Sequence, residues 1–523
     1  MITPDAFIKD LNRKITKQDM AAFVSTLVAG FLAHGYMFFN KLANGDDLVC
    51  WRGNGGGPIS QGRWMKAILE NYRMDLVGDY STPWSKGYVS VLLFAIAAVV
   101  IIRLFQVESP VFAGLIGGML VTFPTVGMAF YFMYMSDAIA IACLFTCLSA
   151  FLIARKPWKR KLSILAGIFL GACAVGTYQA YFALLATLLL SVLLADCYKG
   201  KFENLKEWLL TGLYYIGTMA GSMVLYFIIH KVLTTVKHIT VLEMHGSRMG
   251  EISPAALPDV FSHMYSCFMD LFRTDYLGIG ASVLVRGAMV VLVATVLWLM
   301  IQKSIFLVKE QKVSMVVAMW ITTVIYPMAL NMIFLMVPLA MDTVYILMTH
   351  SLCFVFILPL LIADHKESGG LVRWITTLVV AWSVLYYAHF SNEAYLYREM
   401  AYAEAQGYYI SLIAQIKSAD DYDASMPVVL IGESEDPTLY DLTKQYRNLQ
   451  RFLGDIDTKN PLVGNDLSRY FMAEYCGFAP EYAEQTDLSG EQKKVLKDMP
   501  LYPNAGSIQV VDGMVLVKYS DVK

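Results

Sequence analysis

Apolar runs of about 20 residues recur along most of this 523-residue chain, and no other feature narrows its fold as far. A helix of that length crosses the hydrocarbon of a bilayer, where only helices and closed barrels satisfy their own backbone. The runs lie at residues 21–39, 87–104, 111–126 and 129–153. The stretch 162–194 is too long for one crossing and is broken near Thr177-Tyr178-Gln179, so it counts as two. Further runs follow at 208–229, 282–301, 313–336, 345–361 and 371–390. The fold class expected is therefore an α-helical polytopic membrane protein, a bundle of about eleven crossings. Only 16% of the residues are charged, against about 25% in soluble domains, which agrees. A net charge of −2 without a basic stripe excludes nucleic acid as a partner.

Orientation follows from lysine and arginine, which favour the cytoplasmic side. The polar start, residues 1–20, carries Lys9, Arg13, Lys14 and Lys17 and has no small-residue cleavage pattern after it, as in an uncleaved signal anchor. With this end inside, the basic loops 155–161, 199–206, 303–312 and 365–373 also fall inside. The parity then places two long loops, 40–86 and 231–281, and the whole tail 392–523 outside, so that the membrane domain spans 21–391. The tail reads as a small extracytoplasmic α/β domain. It has a helical stretch at 393–418, a strand-like segment from Pro427 to Gly432, and a hairpin turning at Asp512-Gly513. Of the eight cysteines, Cys143, Cys147, Cys173 and Cys353 sit in apolar runs, while Cys50, Cys267 and Cys476 fall outside. They form neither a disulfide framework nor a CxxC pair.

The polar residues that could carry chemistry gather in the outer loops. Asp46 and Asp47 follow the first apolar run; adjacent carboxylates raise one another's pKa, and one tuned near the working pH can take a proton from a hydroxyl. Asn-Gly-Asp is also good turn chemistry, so a solvated loop or a helix cap is the plain alternative. Further along the same loop, residues 60–76 put Met65, Ile68, Leu69, Tyr72 and Leu76 on one helical face. Arg63, Lys66, Glu70 and Arg73 fall outside that stripe, with Trp64 beside it, as in a helix lying in the membrane interface with cations able to meet a lipid phosphate. Asp137 falls inside the fourth run, about two turns from its outer end, where a carboxylate normally faces a cavity or a partner. Tyr178 and Gln179 sit at an outer turn and could line the same cavity or belong to the aromatic belt. Arg286 could snorkel or grip a phosphate, and His245 and Arg248 in the second outer loop could contact a headgroup. No HExxH, P-loop or GxSxG pattern occurs.

Taken together, Asn44, Asp46 and Asp47, then Gly62-Arg63-Trp64, Asp137, and Tyr178-Gln179-Ala180 resemble the pattern of bacterial Gtr-type membrane glucosyltransferases. These enzymes are associated with O-antigen modification and serotype conversion, and belong with the GT-C superfamily. The similarity runs over residues 20–390, more in organisation than in residues, and the tail departs from it. It implies a GT-C-like bundle in a bacterial inner membrane and an inverting transfer on the outer side. The donor would be a polyprenyl-phosphate sugar, glucose on undecaprenyl phosphate, and the acceptor a hydroxyl of a surface glycan such as O-antigen or cell-wall polysaccharide. Asp46 or Asp47 would be the general base, while Arg63, Lys66, Arg73 or Arg286 would neutralise the leaving phosphate. Some relatives use a divalent cation, Mg or Mn, which hard carboxylates suit; the residues leave that open. A polyprenyl-phosphate glucosyl synthase and a flippase would act upstream. The competing readings are a lipid-linked glycan polymerase or ligase, and a flippase or transporter, though the matching broken-helix halves common in transporters are not seen.

Overall fold

The computed structural model describes residues 3–42, 44–50, 58–78, 82–241, 254–336, 344–365, 368–433, 460, 462–463 and 467–521. The chain forms two compact units, one of Met1–Lys41 with Gly53–Asn392, the other of Leu42–Arg52 with Glu393–Lys523.

The first unit is a helical membrane bundle. Among the described residues nine helices are long and apolar enough to cross: Lys17–Phe39, Pro83–Phe105, Met133–Arg155, Arg160–Thr177, Tyr181–Tyr198, Leu205–Val236, Val283–Lys309, Val313–Leu330 and Gly370–Lys417. The pair Pro110–Thr122 and Pro124–Tyr131 is apolar enough when taken together but is bent by 41°, as in a broken crossing or a re-entrant loop. Pro124 causes the bend, since it has no N–H to donate and its ring clashes with the preceding turn. Large apolar side chains such as Leu32, Ile216, Leu371 and Trp374 stand exposed on these helices, as they do where hydrocarbon is the solvent. Tyr181–Tyr198 is buried along nearly its whole length and forms the centre of the bundle.

Three expected crossings differ in detail. Residues 345–361 hold two short 3-10 turns, Ile346–Met348 and His350–Cys353, and then the helix Phe354–Ala363. At about 1.5 Å per residue a ten-residue helix falls well short of a 30 Å core. The run 313–336 ends as a helix at Leu330, just beyond Pro327, and resumes only as the turn Ile333–Met336. In the run 129–153 the first three residues end the helix Pro124–Tyr131, a 3-10 turn follows at Met133–Met135, and a new α-helix starts at Ser136.

Close helix approach is secured by small residues. A Cβ on Gly117 would lie 2.3 Å from Thr26 Oγ1 and 2.7 Å from the Ala22 carbonyl, so Pro110–Thr122 can rest on Lys17–Phe39 only with glycine there. Charge pairs tie the helix ends carrying the basic loops: Arg103 to Asp19 at 2.8 Å, and Arg155 to Asp196 at 3.0 Å. Asp364 accepts from the backbone N–H of Glu108 (2.6 Å) and Ser109 (3.1 Å), capping the start of Pro110–Thr122.

The second unit contains the end of the helix Gly370–Lys417 and a three-stranded sheet in the order β1-β3-β2. Strand β1 (Val428–Ile431) lies parallel to β3 (Met514–Lys518), and β2 (Ile508–Val511) pairs antiparallel with β3. Asp512 and Gly513 both have positive φ, 51° and 73°, as a two-residue hairpin turn demands, so the hairpin read from the sequence is the one found. Val429, Ile431, Leu488, Leu496, Met499 and Leu516 form its core. Leu42–Arg52, which follows the first crossing in the chain, belongs with this unit and not with the bundle that flanks it in sequence.

Candidate functional site

Within the bundle, the richest polar constellation is built on the helix Trp64–Val77. Arg63, Lys66, Glu70 and Arg73 are spaced three, four and three residues apart, which puts them on one helical face. That face turns inward: Lys66 and Glu70 are buried with Trp64 and Ala67, while Ile68, Tyr72, Leu76 and Val77 are exposed. A water-facing helix would do the reverse. This inversion is what a helix in the membrane interface shows when its apolar side meets lipid and its charged side meets protein.

Part of the charged face is paired internally. Lys66 forms an ion pair with Glu70 one turn on, and its ammonium lies 5.2 Å from the Tyr134 ring centroid. Lys86, buried in the first turn of Pro83–Phe105, donates to the Tyr134 carbonyl and to Asp137 Oδ1 at 3.0 Å. Arg63 lies over the Tyr178 ring at 5.2 Å. Asp137 therefore has a definite partner in Lys86. It also stands in the first turn of Ser136–Arg155 and not two turns into a crossing, because the chain is 3-10 up to Met135.

The turn before this helix is latched from two sides. Gly62 has φ +79°, Gln179 Nε2 donates to the Gln61 carbonyl at 2.7 Å, and the Tyr226 hydroxyl donates to the Gly62 carbonyl at 3.1 Å. A Cβ on Gly62 would fall 2.4 Å from the Tyr226 oxygen, so both the backbone angle and the space require glycine. Trp64 is seated on Gly176, where a Cβ would lie 2.4 Å from the indole. Long-range contacts from two other crossings and one interhelical turn thus set the position of Arg63.

Electrostatically the face is poised for an anion. Burial lowers the Lys66 pKa below the ordinary lysine value; Glu70 opposes that shift, while Arg63 and Lys86 add to it. Burial pushes the Tyr178 hydroxyl well above its usual range, with Tyr345 adding to the rise, so it stays a donor. Tyr178 lies beside Tyr345 without a well-formed hydrogen bond. Five buried polar atoms here lack a hydrogen-bond partner: Arg63 Nε, Trp64 Nε1, Arg73 Nε, Tyr178 Oη and Glu70 Oε2. Four are donors and one an acceptor. Buried groups are normally satisfied, so an orphan set concentrated on one helix and the turn facing it marks a place for a polar ligand.

The acidic pair sits in the other unit, on the short helix Gly45–Cys50. Asp47 is buried; its backbone N–H donates to Asn44 Oδ1 at 2.9 Å, and its carboxylate accepts from the Asn44 N–H at 3.4 Å. This is a reciprocal cap, so part of the plain alternative holds for Asp47. Asp46 is exposed. Arg286 donates to the Gly280 carbonyl in the turn before its own helix. His245 and Arg248 lie outside the described residues. Among the described residues no three His, Cys, Asp or Glu side chains converge as a metal site, and no step through a metal is derived.

Lys86, Tyr134, Tyr226 and Tyr345 complete the bundle site beyond the residues read from sequence. Lys86 carried a signal, being a lysine at the mouth of an apolar run; Tyr226 is one of 31 tyrosines and carried none.

In a comparison with protein families, the family model described as Glucosyl transferase GtrII matches residues 35–358, which include the acidic helix and the cationic helix. Neither the curated proteins nor the solved structures return a match.

Proposed function

The chain belongs to the GtrII glucosyl transferase family, and from that premise we propose that it moves glucose from a polyprenyl-phosphate donor to a hydroxyl of a surface glycan. The orphan set on the cationic helix is the observation that carries this reading. A phosphate esterified to a sugar offers acceptor oxygens to Arg63, Trp64, Arg73 and Tyr178, and a hydroxyl to Glu70 Oε2. Few other ligands answer both kinds of orphan at the surface of a bilayer.

The charge balance favours the later part of the reaction. Four cations, Arg63, Lys66, Arg73 and Lys86, face two carboxylates, Glu70 and Asp137, which leaves two positive charges in surplus. The donor phosphodiester carries one negative charge, and the polyprenyl phosphate released carries up to two. Groups fixed in advance and matched to the product charge stabilise the transition state more than the ground state. In the proposed step the acceptor hydroxyl oxygen attacks the anomeric carbon. The bond from that carbon to the phosphate oxygen breaks, the electron pair leaves with the phosphate, and the hydroxyl proton passes to a carboxylate of the acidic helix. One displacement inverts the anomeric configuration. Of the two carboxylates, Asp46 is exposed, and Asp47 is buried and accepts from the Asn44 N–H. Basic loops on the N-terminal side of the membrane support an inner-membrane orientation with both helices outside.

Transfer from labelled polyprenyl-phosphate glucose, measured with protein in nanodiscs, tests the reading. Asp46→Asn is expected to lose turnover at normal donor dependence, and Arg63→Ala to raise the donor requirement. Wild-type kinetics in both variants would refute it.

A further inference from the structure

Glucosyl transfer by itself gives residues Glu393–Lys523 no task, but their contacts do. The acidic helix Gly45–Cys50 belongs to the same compact unit as this tail and packs on the helix Ser468–Cys476. The approach is close: a Cβ on Gly45 would lie 2.4 Å from Leu467 Cδ1. Leu48 and Cys50 are buried, while Asp46 and Val49 are exposed, so the helix has one seated side and one presented side.

The seat is itself well fixed. The Tyr409 hydroxyl lies 2.8 Å from the Leu462 carbonyl and 2.7 Å from Ser468 Oγ, able to donate to the first and accept from the second. Phe471 and Tyr475 pack their rings against Tyr402 at 5.4 and 4.9 Å. Asn460 donates to the Ala401 carbonyl at 2.8 Å and to Glu404 at 2.9 Å. A short helix has little stability of its own, so its orientation comes from what it rests on.

We propose that the C-terminal unit is the mount of the acidic helix, with Leu467 and the helix Ser468–Cys476 acting as positioning residues that hold Asp46 in line for the acceptor hydroxyl. The proposal rests on the reading of Asp46 as the base. A misplacement of about 1 Å at a reacting group costs about 100-fold, so this mount should be visible in turnover.

The test is a compensating pair. Gly45→Val drives a branched side chain into Leu467, and Leu467→Ala makes room for it. Gly45→Val is expected to lower kcat by about 10- to 100-fold with donor KM within about twofold. The double variant should return to the level of Leu467→Ala alone. Unchanged kcat in Gly45→Val overturns the mount, and so does a double variant that recovers nothing while still binding polyprenyl phosphate as the wild type does. Should Gly45→Val fail to accumulate in membranes, Leu467→Phe presses on the same contact from the other side, and unchanged kcat there is equally decisive. Asp46→Asn in the same assay reports on the premise separately. Full turnover in that variant removes the base assignment, whereas loss in Asp46→Asn beside normal Gly45→Val removes only the mount.

Discussion

The cationic helix Trp64–Val77 and the acidic helix Gly45–Cys50 are near neighbours in sequence, yet they belong to different compact units and present their charges differently. The cationic helix is fixed by residues remote in the chain: Gln179 and Tyr226 latch its leading turn, Gly176 seats Trp64, and Tyr178 lies under Arg63. Lys66 and Glu70 are buried and paired with one another, while Arg63 and Arg73 are half-buried. The acidic helix closes its own start through Asn44 and Asp47 and leaves Asp46 exposed. The contrast separates two jobs. A phosphate site gains from donors fixed in advance and shielded from water, since electrostatic interactions strengthen there. A proton acceptor for an incoming hydroxyl must stay accessible.

If the jobs are divided in this way, substitutions should divide too. The largest effect belongs to the acidic helix: Asp46→Asn is expected to lower kcat by about 100- to 10,000-fold, the range of a positioned base. Asp47→Asn should cost much less, because the amide oxygen can still accept from the Asn44 backbone. Equal losses in the two variants would erase the distinction between base and cap. Next comes Arg63→Ala, which removes a charge-assisted contact of about 1.5–3 kcal/mol and should raise donor KM by about 10- to 100-fold with kcat less affected.

Gly62→Ala follows. It strains a backbone at φ +79° and meets the Tyr226 oxygen, so a rise of about tenfold in donor KM is expected. Combining it with Tyr226→Phe should soften the effect by relieving the contact. No interaction between the two substitutions would show that the latch does not set the position of Arg63.

The smallest effect is in pH dependence. Burial lowers the Lys66 pKa, and its protonated form is the one that attracts phosphate. Donor affinity should therefore be full below that lowered pKa and weaken as pH rises through it, earlier than an ordinary lysine would allow. A pH series of donor KM should show this alkaline loss in the wild type and a flatter profile in Lys66→Met.

The same division explains what could be read from the sequence. The membrane class, most crossings, the hairpin at Asp512-Gly513 and the exposed stripe Ile68, Tyr72 and Leu76 all follow from local periodicity or turn chemistry. Hidden features depended on partners far along the chain. Lys86 joins Asp137 across 51 positions, and Tyr226 reaches Gly62 across 164, pairings that no local pattern specifies. Pro124 interrupts a stretch that hydropathy alone treats as continuous, and the run 313–336 leaves the helix after Leu330.

The most direct test is equilibrium binding of polyprenyl phosphate, without sugar or acceptor, to the protein in nanodiscs. Removing the chemistry isolates the buried cations of the bundle from the acidic helix. Arg63→Ala should bind about 10- to 100-fold more weakly, while Asp46→Asn binds as tightly as the wild type. Wild-type affinity in Arg63→Ala, or a comparable loss in Asp46→Asn, would contradict the division of labour between the two helices.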